Sequence, residues 1–361
     1  MRLIVAVLAF ASLFTYASPS GSTPTVGTQI VDYADGRPAA KYRLEAQDSG
    51  PVFKHGLGPG QCDYLGARDV WVWENQGTYF MHYDGAGLKG WLTCLATSSN
   101  LTTWTPHGPV LDFGGTNDED SASASYGTTF FDGKTWHMFY LATRYSSPAP
   151  NFIPTTPYLT MKAGGDSPWG PWKKQPEVQP FRCQPGTYYS DTACPAQIIQ
   201  RGDEYLMFFS AAASHQGRLL RTLGIARTKN LNGPWAVDSQ PMVPSREQVE
   251  NSSAYFEPTN QTWFLFSNHV GIENGNEFTD AIWVYWTRDL NHWDPAHKAV
   301  VLDGGNCHWS SKCIGLPSVF RVGDRLAIFY DAPGGDSTSH MKRDVGLAWL
   351  KLPLTVPAEN K

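Results

Sequence analysis

Five short segments of this chain repeat one pattern, and that repetition narrows the fold more than any other feature. They are Tyr79-Phe-Met-His-Tyr-Asp84, Trp136-His-Met-Phe-Tyr-Leu141, Tyr205-Leu-Met-Phe-Phe-Ser210, Trp263-Phe-Leu-Phe-Ser-Asn268 and Leu326-Ala-Ile-Phe-Tyr-Asp331. Each is too short for a helix and rich in aromatic residues, as a strand buried on both faces would be. A turn signal stands before each, such as Asp132-Gly133 or Val322-Gly-Asp324, and another apolar strand precedes the turn, as in Asp69-Val-Trp-Val-Trp73. The units are therefore hairpins. A third strand follows in every one, for example Ala281-Ile-Trp-Val-Tyr-Trp286, and four units continue through a turn ending in Trp104, Trp172, Trp235 or Trp293 to a short outer strand. The fifth runs out of chain first, but Gly50-Pro-Val-Phe53 echoes the outer strand Gly108-Pro-Val-Leu111. Closing a ring of sheets with that N-terminal strand leaves no exposed edge. The expectation is an all-β fold, a five-bladed β-propeller closed by an N-terminal strand, with blades near residues 67–115, 120–182, 190–245, 250–304 and 314–355, the last completed by residues 49–54.

Composition agrees. Of 361 residues, 41% are hydrophobic and only 17% charged, against about 25% charged in an average globular chain, which excludes a solvated tail or a coiled coil. A net charge of −5 supplies no basic field for a phosphate backbone, so nucleic acid is not an expected partner. Residues 1–17 carry Arg2, an apolar run from Leu3 to Phe14, and small residues at a cleavage point, the layout of a signal peptide and too short to span a bilayer. Residues 18–40, rich in Ser, Thr, Pro and Gly, read as a linker, leaving 41–361 as the catalytic domain of a soluble, secreted monomer with no membrane partner. Six cysteines are an even set for an oxidising compartment; short loops would pair Cys183 with Cys194 and Cys307 with Cys313, leaving Cys62 for Cys94, among fifteen connectivities. No Cys-x-x-Cys spacing indicates a metal, and no cofactor is called for beyond a structural cation that the central channel could hold. Asn100, Asn251 and Asn260 head glycosylation sequons.

Topology places the site. Starts of first strands and ends of second strands share one face, so polar residues there converge on a funnel. The starts contribute Asp69 with Arg68, the run Asp118-Glu119-Asp120, Asp191 and Glu250; the ends contribute Asp84, His269 and Asp331. Two carboxyl groups at such a mouth suit glycoside hydrolysis, one protonated to serve the leaving oxygen and the other ionised. Asp69 opens an apolar strand, where a charge is costly without a purpose; Glu250 or Asp191 is the candidate acid. Arg68, Asp84, Asp120, His269, Asp331 and Arg343 are the candidate substrate contacts.

Asp69 opening the first unit, the Gly-Thr-Tyr-Phe-Met-His-Tyr that follows, the Asn/Asp-Leu-x-x-Trp turns and the closing Asp344-Val-Gly-Leu-Ala-Trp together resemble the five-bladed β-propeller glycoside hydrolase superfamily, family 43 and its relatives, over residues 45–355. The resemblance implies an Asp general base on blade one, an Asp that tunes pKa on blade two and a Glu general acid on blade three. Only Asp69 matches residue for residue. Blade two has Ser125, Tyr126 and Gly127 at that depth, and blade three begins Asp191-Thr-Ala-Cys-Pro195, with no Glu. The expected function is a secreted glycosidase acting on a plant or microbial polysaccharide or oligosaccharide. A non-catalytic carbohydrate-binding propeller and a polysaccharide lyase using Tyr126 or His269 stay open as alternatives.

Overall fold

The structure is a computed structural model that describes residues 21–27, 31–273 and 275–357. The predicted signal peptide at 1–17 lies outside the described residues. Near the N-terminus are β1 (Thr25–Val26), β2 (Tyr42–Arg43) and β3 (Gln47–Phe53). Four antiparallel units follow: β4 (Gly66–Asn75), β5 (Thr78–Gly87), β6 (Gly90–Ser98) and β7 (Thr105–Pro109); β8 (Ser123–Phe131), β9 (Trp136–Thr143), β10 (Leu159–Gly165) and β11 (Lys173–Lys174); β12 (Thr192–Arg201), β13 (Glu204–His215), β14 (Arg218–Thr228) and β15 (Ala236–Val237); β16 (Val249–Glu257), β17 (Thr262–Glu273), β18 (Asn276–Thr287) and β19 (Lys298–Leu302). The last unit, β20 (Gly315–Val322), β21 (Arg325–Ala332) and β22 (Asp344–Lys351), takes β3 as its fourth strand, with Val345 opposite Phe53 and Trp349 opposite Gln47.

Each first strand packs against the next in cyclic order, from β4 through β8, β12 and β16 to β20, which returns to β4. Apolar side chains fill the spaces between neighbouring units. Phe264, Ile282 and Val284 of the fourth unit meet Ile328, Tyr330 and Leu350 of the fifth, and Tyr83 and Ala96 of the first meet Phe329 and Leu347 of the fifth. The turn tryptophans Trp104, Trp172, Trp235 and Trp293 are all buried, which explains their recurrence as packing rather than ligand binding. Because β3 contributes Phe53, whose ring lies 5.0 Å from that of Tyr83, the N-terminal strand joins the last unit to the first.

Every first strand is interrupted at the same depth by a register shift: Arg68/Trp71, Ser125/Thr128, Pro195/Ile198, Glu250/Ser252 and Gly315/Ser318. In four of them a non-glycine residue takes positive φ there: Asp69 at 52°, Tyr126 at 48°, Asn251 at 54° and Leu316 at 29°. A bulge re-aims a side chain away from the regular alternation of the strand, and a non-glycine residue held at positive φ costs on the order of 1–3 kcal/mol.

The segment expected to be a linker is anchored where it is described. Arg37 is buried, with Nε 2.8 Å from Asp35 Oδ2 and Nη2 2.7 Å from Asp280 Oδ2, while β2 runs parallel to β19. The structure contains no disulfide among the six cysteines expected to pair. Cys62 and Cys94 touch, but Cys307 lies 3.5 Å from the Tyr330 hydroxyl and Cys313 accepts from Arg343 Nη2 at 2.9 Å, so that second pair is drawn to different partners.

Phe53→Ala should therefore destabilise the whole domain, by about 3–5 kcal/mol, with one cooperative urea transition and an unchanged m-value. A separate early unfolding phase confined to the N-terminal strand would show instead that β3 is an independent appendage.

Candidate functional site

Three of the bulged residues, Asp69, Tyr126 and Asn251, line one cavity of about 100 Å³, together with Arg68, Asp84, Tyr158, Arg221, Glu250 and His340. The cavity opens into a groove of about 800 Å³ that shares Arg68, Tyr158, Arg221, Glu250 and His340. The predicted convergence of first-strand starts and second-strand ends is thus realised for Asp69, Asp84 and Glu250.

Asp69 is held from behind. Its backbone N–H donates to Asp331 Oδ2 at 2.9 Å, and Asp331 Oδ1 is 2.5 Å from Arg343 Nη1, with both members of that ion pair fully buried. Arg343 spends its other donors on Thr279 Oγ1, Cys313 Sγ and the Ser339 carbonyl. Asp331 and Arg343 were expected to touch substrate; instead they fix the backbone that presents Asp69, since neither has surface left for a ligand.

Asp84 stands opposite Arg68 in the β4–β5 ladder and is 1% exposed. One of its oxygens accepts the Tyr126 N–H, and its carboxyl hydrogen-bonds to that of Asp69. Two carboxylates in contact and out of water cannot both stay ionised. Burial first, and then the Asp69 charge, push Asp84 well above the ordinary carboxylate range. Burial also raises Asp69, opposed by the neighbouring Arg68 guanidinium. The two share a proton and titrate as a unit. Asp69 Oδ1 lacks a hydrogen-bond partner although Arg68 Nε lies 3.2 Å away, because the angle between them is wrong for a hydrogen bond.

Glu250 is treated differently. Arg221 Nη1 donates to its Oε2, while Arg221 Nε and Nη2 hold Glu277 Oε2 at 3.1 and 2.7 Å. Arg221 escaped the sequence reading; its signal was a charge inside the apolar strand Leu219-Leu-Arg-Thr-Leu223. His340 Nδ1 lies 3.1 Å from Arg68 Nη1. Since arginine only donates, Nδ1 accepts and the proton sits on Nε2. Burial, and then the Arg68, Arg343 and Arg221 charges, push His340 down to about 3, so it stays neutral.

Other expected site residues lie elsewhere. Asp191 is turned away from the cavity: Oδ2 accepts the Ser214 N–H at 2.7 Å and the Ser190 hydroxyl at 2.8 Å. Asp120 meets Lys174 Nζ at 2.6 Å and the Tyr140 hydroxyl at 2.9 Å in a separate cleft. His269 is fully buried against Trp283, ring centroids 3.9 Å apart, with Nδ1 accepting from Arg37 Nη1. It cannot reach a substrate. Tyr126 does line the cavity, but burial raises its hydroxyl well above the ordinary phenol range, the wrong direction for a base. Asn251 has its amide oxygen on Ser210 Oγ at 3.0 Å and is nearly buried, so the folded protein offers no glycan acceptor there. Among the described residues no cluster of His, Cys, Asp and Glu could hold a metal ion.

No protein-family model matches the chain, and no curated protein does. Solved structures similar to it include a BT0996 RGII complex, at TM-score 0.62 and 16% identity over 88% of this protein and 96% of that one. A family 117 glycoside hydrolase, Zg3597, from Zobellia galactanivorans matches at TM-score 0.60 and 14% identity over 85% and 91%. A thermostable family-43 glycoside hydrolase matches at TM-score 0.58 and 15% identity over 85% and 98%. At these identities the likeness is one of fold alone, an all-β fold shared with solved β-propeller glycoside hydrolases.

The shared proton has a measurable consequence. A carboxyl whose pKa is raised by folding binds more protons in the native than in the unfolded state, so stability falls as pH rises above the unfolded value near 4. Asp84→Asn mimics the protonated side chain and keeps the acceptor for Tyr126 N–H. Its urea midpoint should exceed the wild type's at pH 7–8, the gap closing toward pH 4; a gap independent of pH would mean that Asp84 carries no extra proton.

Proposed function

We propose that this protein is a secreted, monomeric glycoside hydrolase, a five-bladed propeller whose ring is closed by β3, acting on a polysaccharide or oligosaccharide. One observation carries the proposal: two carboxyl environments face one cavity at the mouth of the ring, a proton-sharing pair, Asp69 with Asp84, and an arginine-paired carboxylate, Glu250. Glycoside hydrolysis needs that division, a proton donor for the leaving oxygen and a negative charge facing an oxocarbenium-like transition state. The solved structures of similar fold described as glycoside hydrolases support it.

The environments argue for roles opposite to those implied by the family resemblance. Glu250, with Oε2 on the Arg221 guanidinium, supplies the negative charge in this reading. The proton comes from the pair. Asp69, whose Oδ1 has no partner, donates the one proton it shares with Asp84 to the leaving oxygen; Glu250 accepts the proton of the attacking water, and that proton returns to the pair before the next turnover. Asp84 thus sits where a second carboxyl can tune Asp69, a task that the resemblance places on blade two, where this chain has Tyr126.

Asp69→Asn and Glu250→Gln should each lower kcat by at least about 100-fold without changing the thermal midpoint by more than a few degrees, whereas Asp191→Asn should leave kcat unchanged. The measurement is release of reducing sugar from a panel of plant and algal glycans. Full activity in either of the first two variants removes that residue from the mechanism; release of an unsaturated, ultraviolet-absorbing product would identify a lyase instead.

A further inference from the structure

The middle hairpins of the third and fourth units are longer than their counterparts. β13 and β14 have 12 and 11 residues and β17 and β18 have 12 each, against 8 and 7 for β9 and β10 and 8 each for β21 and β22. The excess lies at the end where second strands finish, so these hairpins rise beside the cavity mouth and form walls of the larger groove. A minimal sheet unit does not need this extra length.

Charge in the groove is uneven. Its lining has three guanidinium groups, Arg68, Arg218 and Arg221, and two carboxylates, Glu250 and Glu277, while His340 is neutral. Arg221 is committed to both carboxylates, and Arg68 lies against Asp69 and His340. Arg218 has no hydrogen-bond or ion-pair partner for its side chain among the described residues, and its Nε is out of contact with solvent. Burying part of a guanidinium without a partner is unfavourable unless a ligand completes it. Arg218 precedes Arg221 by three residues on β14, about 10 Å along the strand, and lines the larger groove but not the inner cavity, beside which the next part of a bound chain would lie.

Resting on the glycoside hydrolase reading, we propose that the substrate is an acidic glycan, with Arg218 recognising the carboxylate of a uronate residue next to the sugar in the inner cavity. A guanidinium matches a carboxylate with two parallel N–H donors. The groove's two carboxylates, Glu250 and Glu277, both bond Arg221, and neither pairs with Arg218.

The test is binding, measured by calorimetry on the catalytically disabled Asp69→Asn protein, with a uronate-containing oligosaccharide, its carboxyl-reduced counterpart and a sulfated neutral oligosaccharide as probes. The acidic oligosaccharide should bind about 10- to 100-fold more tightly than the reduced one. Adding Arg218→Gln should erase the difference while leaving the reduced oligosaccharide's affinity unchanged, and Arg218→Lys should restore part of it. Equal affinity for the acidic and reduced probes, a preference untouched by Arg218→Gln, or a preference for the sulfated probe overturns the proposal. The hydrolase reading fails separately: if wild-type protein cleaves neither the acidic nor the reduced oligosaccharide and the binding preference still depends on Arg218, recognition stands without hydrolysis.

Discussion

The ion pair between Asp331 and Arg343 is the constraint on which the site depends. Both groups are completely buried, and the guanidinium also reaches Thr279 on β18, Cys313 before β20 and the Ser339 carbonyl, while Asp331 holds the Asp69 N–H. The first, fourth and fifth units therefore meet at one charge pair. Such a pair gives little net stability over a well-packed apolar substitute, because desolvation offsets its attraction. What it supplies here is position: Asp69 sits at positive φ in a bulge, a conformation that the strand alone would not hold.

A similar economy governs the charges in the cavity. Asp69, Asp84 and Glu250 with Arg68 and Arg221 form an almost neutral group, which allows burial, yet the partners are distributed unequally. Glu250 bonds a guanidinium that it shares with Glu277, whereas Asp84 has only another carboxyl and a backbone N–H. Position in the sheet ladder causes that difference. Asp84 lies opposite Arg68 across β4 and β5, but the bulge turns Asp69 toward it, and Arg68 stacks over the Trp91 ring at 5.3 Å.

Much of the fold was legible because its signals are local and repeated. Strand patterning, turn residues and the buried tryptophans each recur, and the echo of Gly108-Pro-Val-Leu111 in Gly50-Pro-Val-Phe53 pointed to the strand that pairs with β22. The N-terminal segment was harder to read. Its composition is that of a linker, and nothing nearby in sequence shows that Arg37 will find Asp280 and His269 more than 200 positions away. Cysteine spacing was equally uninformative, since loop length says nothing of the guanidinium that holds Cys313.

The sequence by itself determined the all-β repeat, the end of the ring where carboxyl groups gather, and the place of Asp69 at the head of its strand; these follow from side-chain alternation and turn chemistry, which act over a few residues. Only the tertiary structure decided which acids meet. Asp69, Asp84 and Glu250 come together, while Asp191, Asp120 and His269 are satisfied by Ser214, Lys174 and Arg37. The physical reason is that a bulge of one residue reverses where a side chain points, and that the protonation of a buried acid depends on which charge the folded chain places beside it.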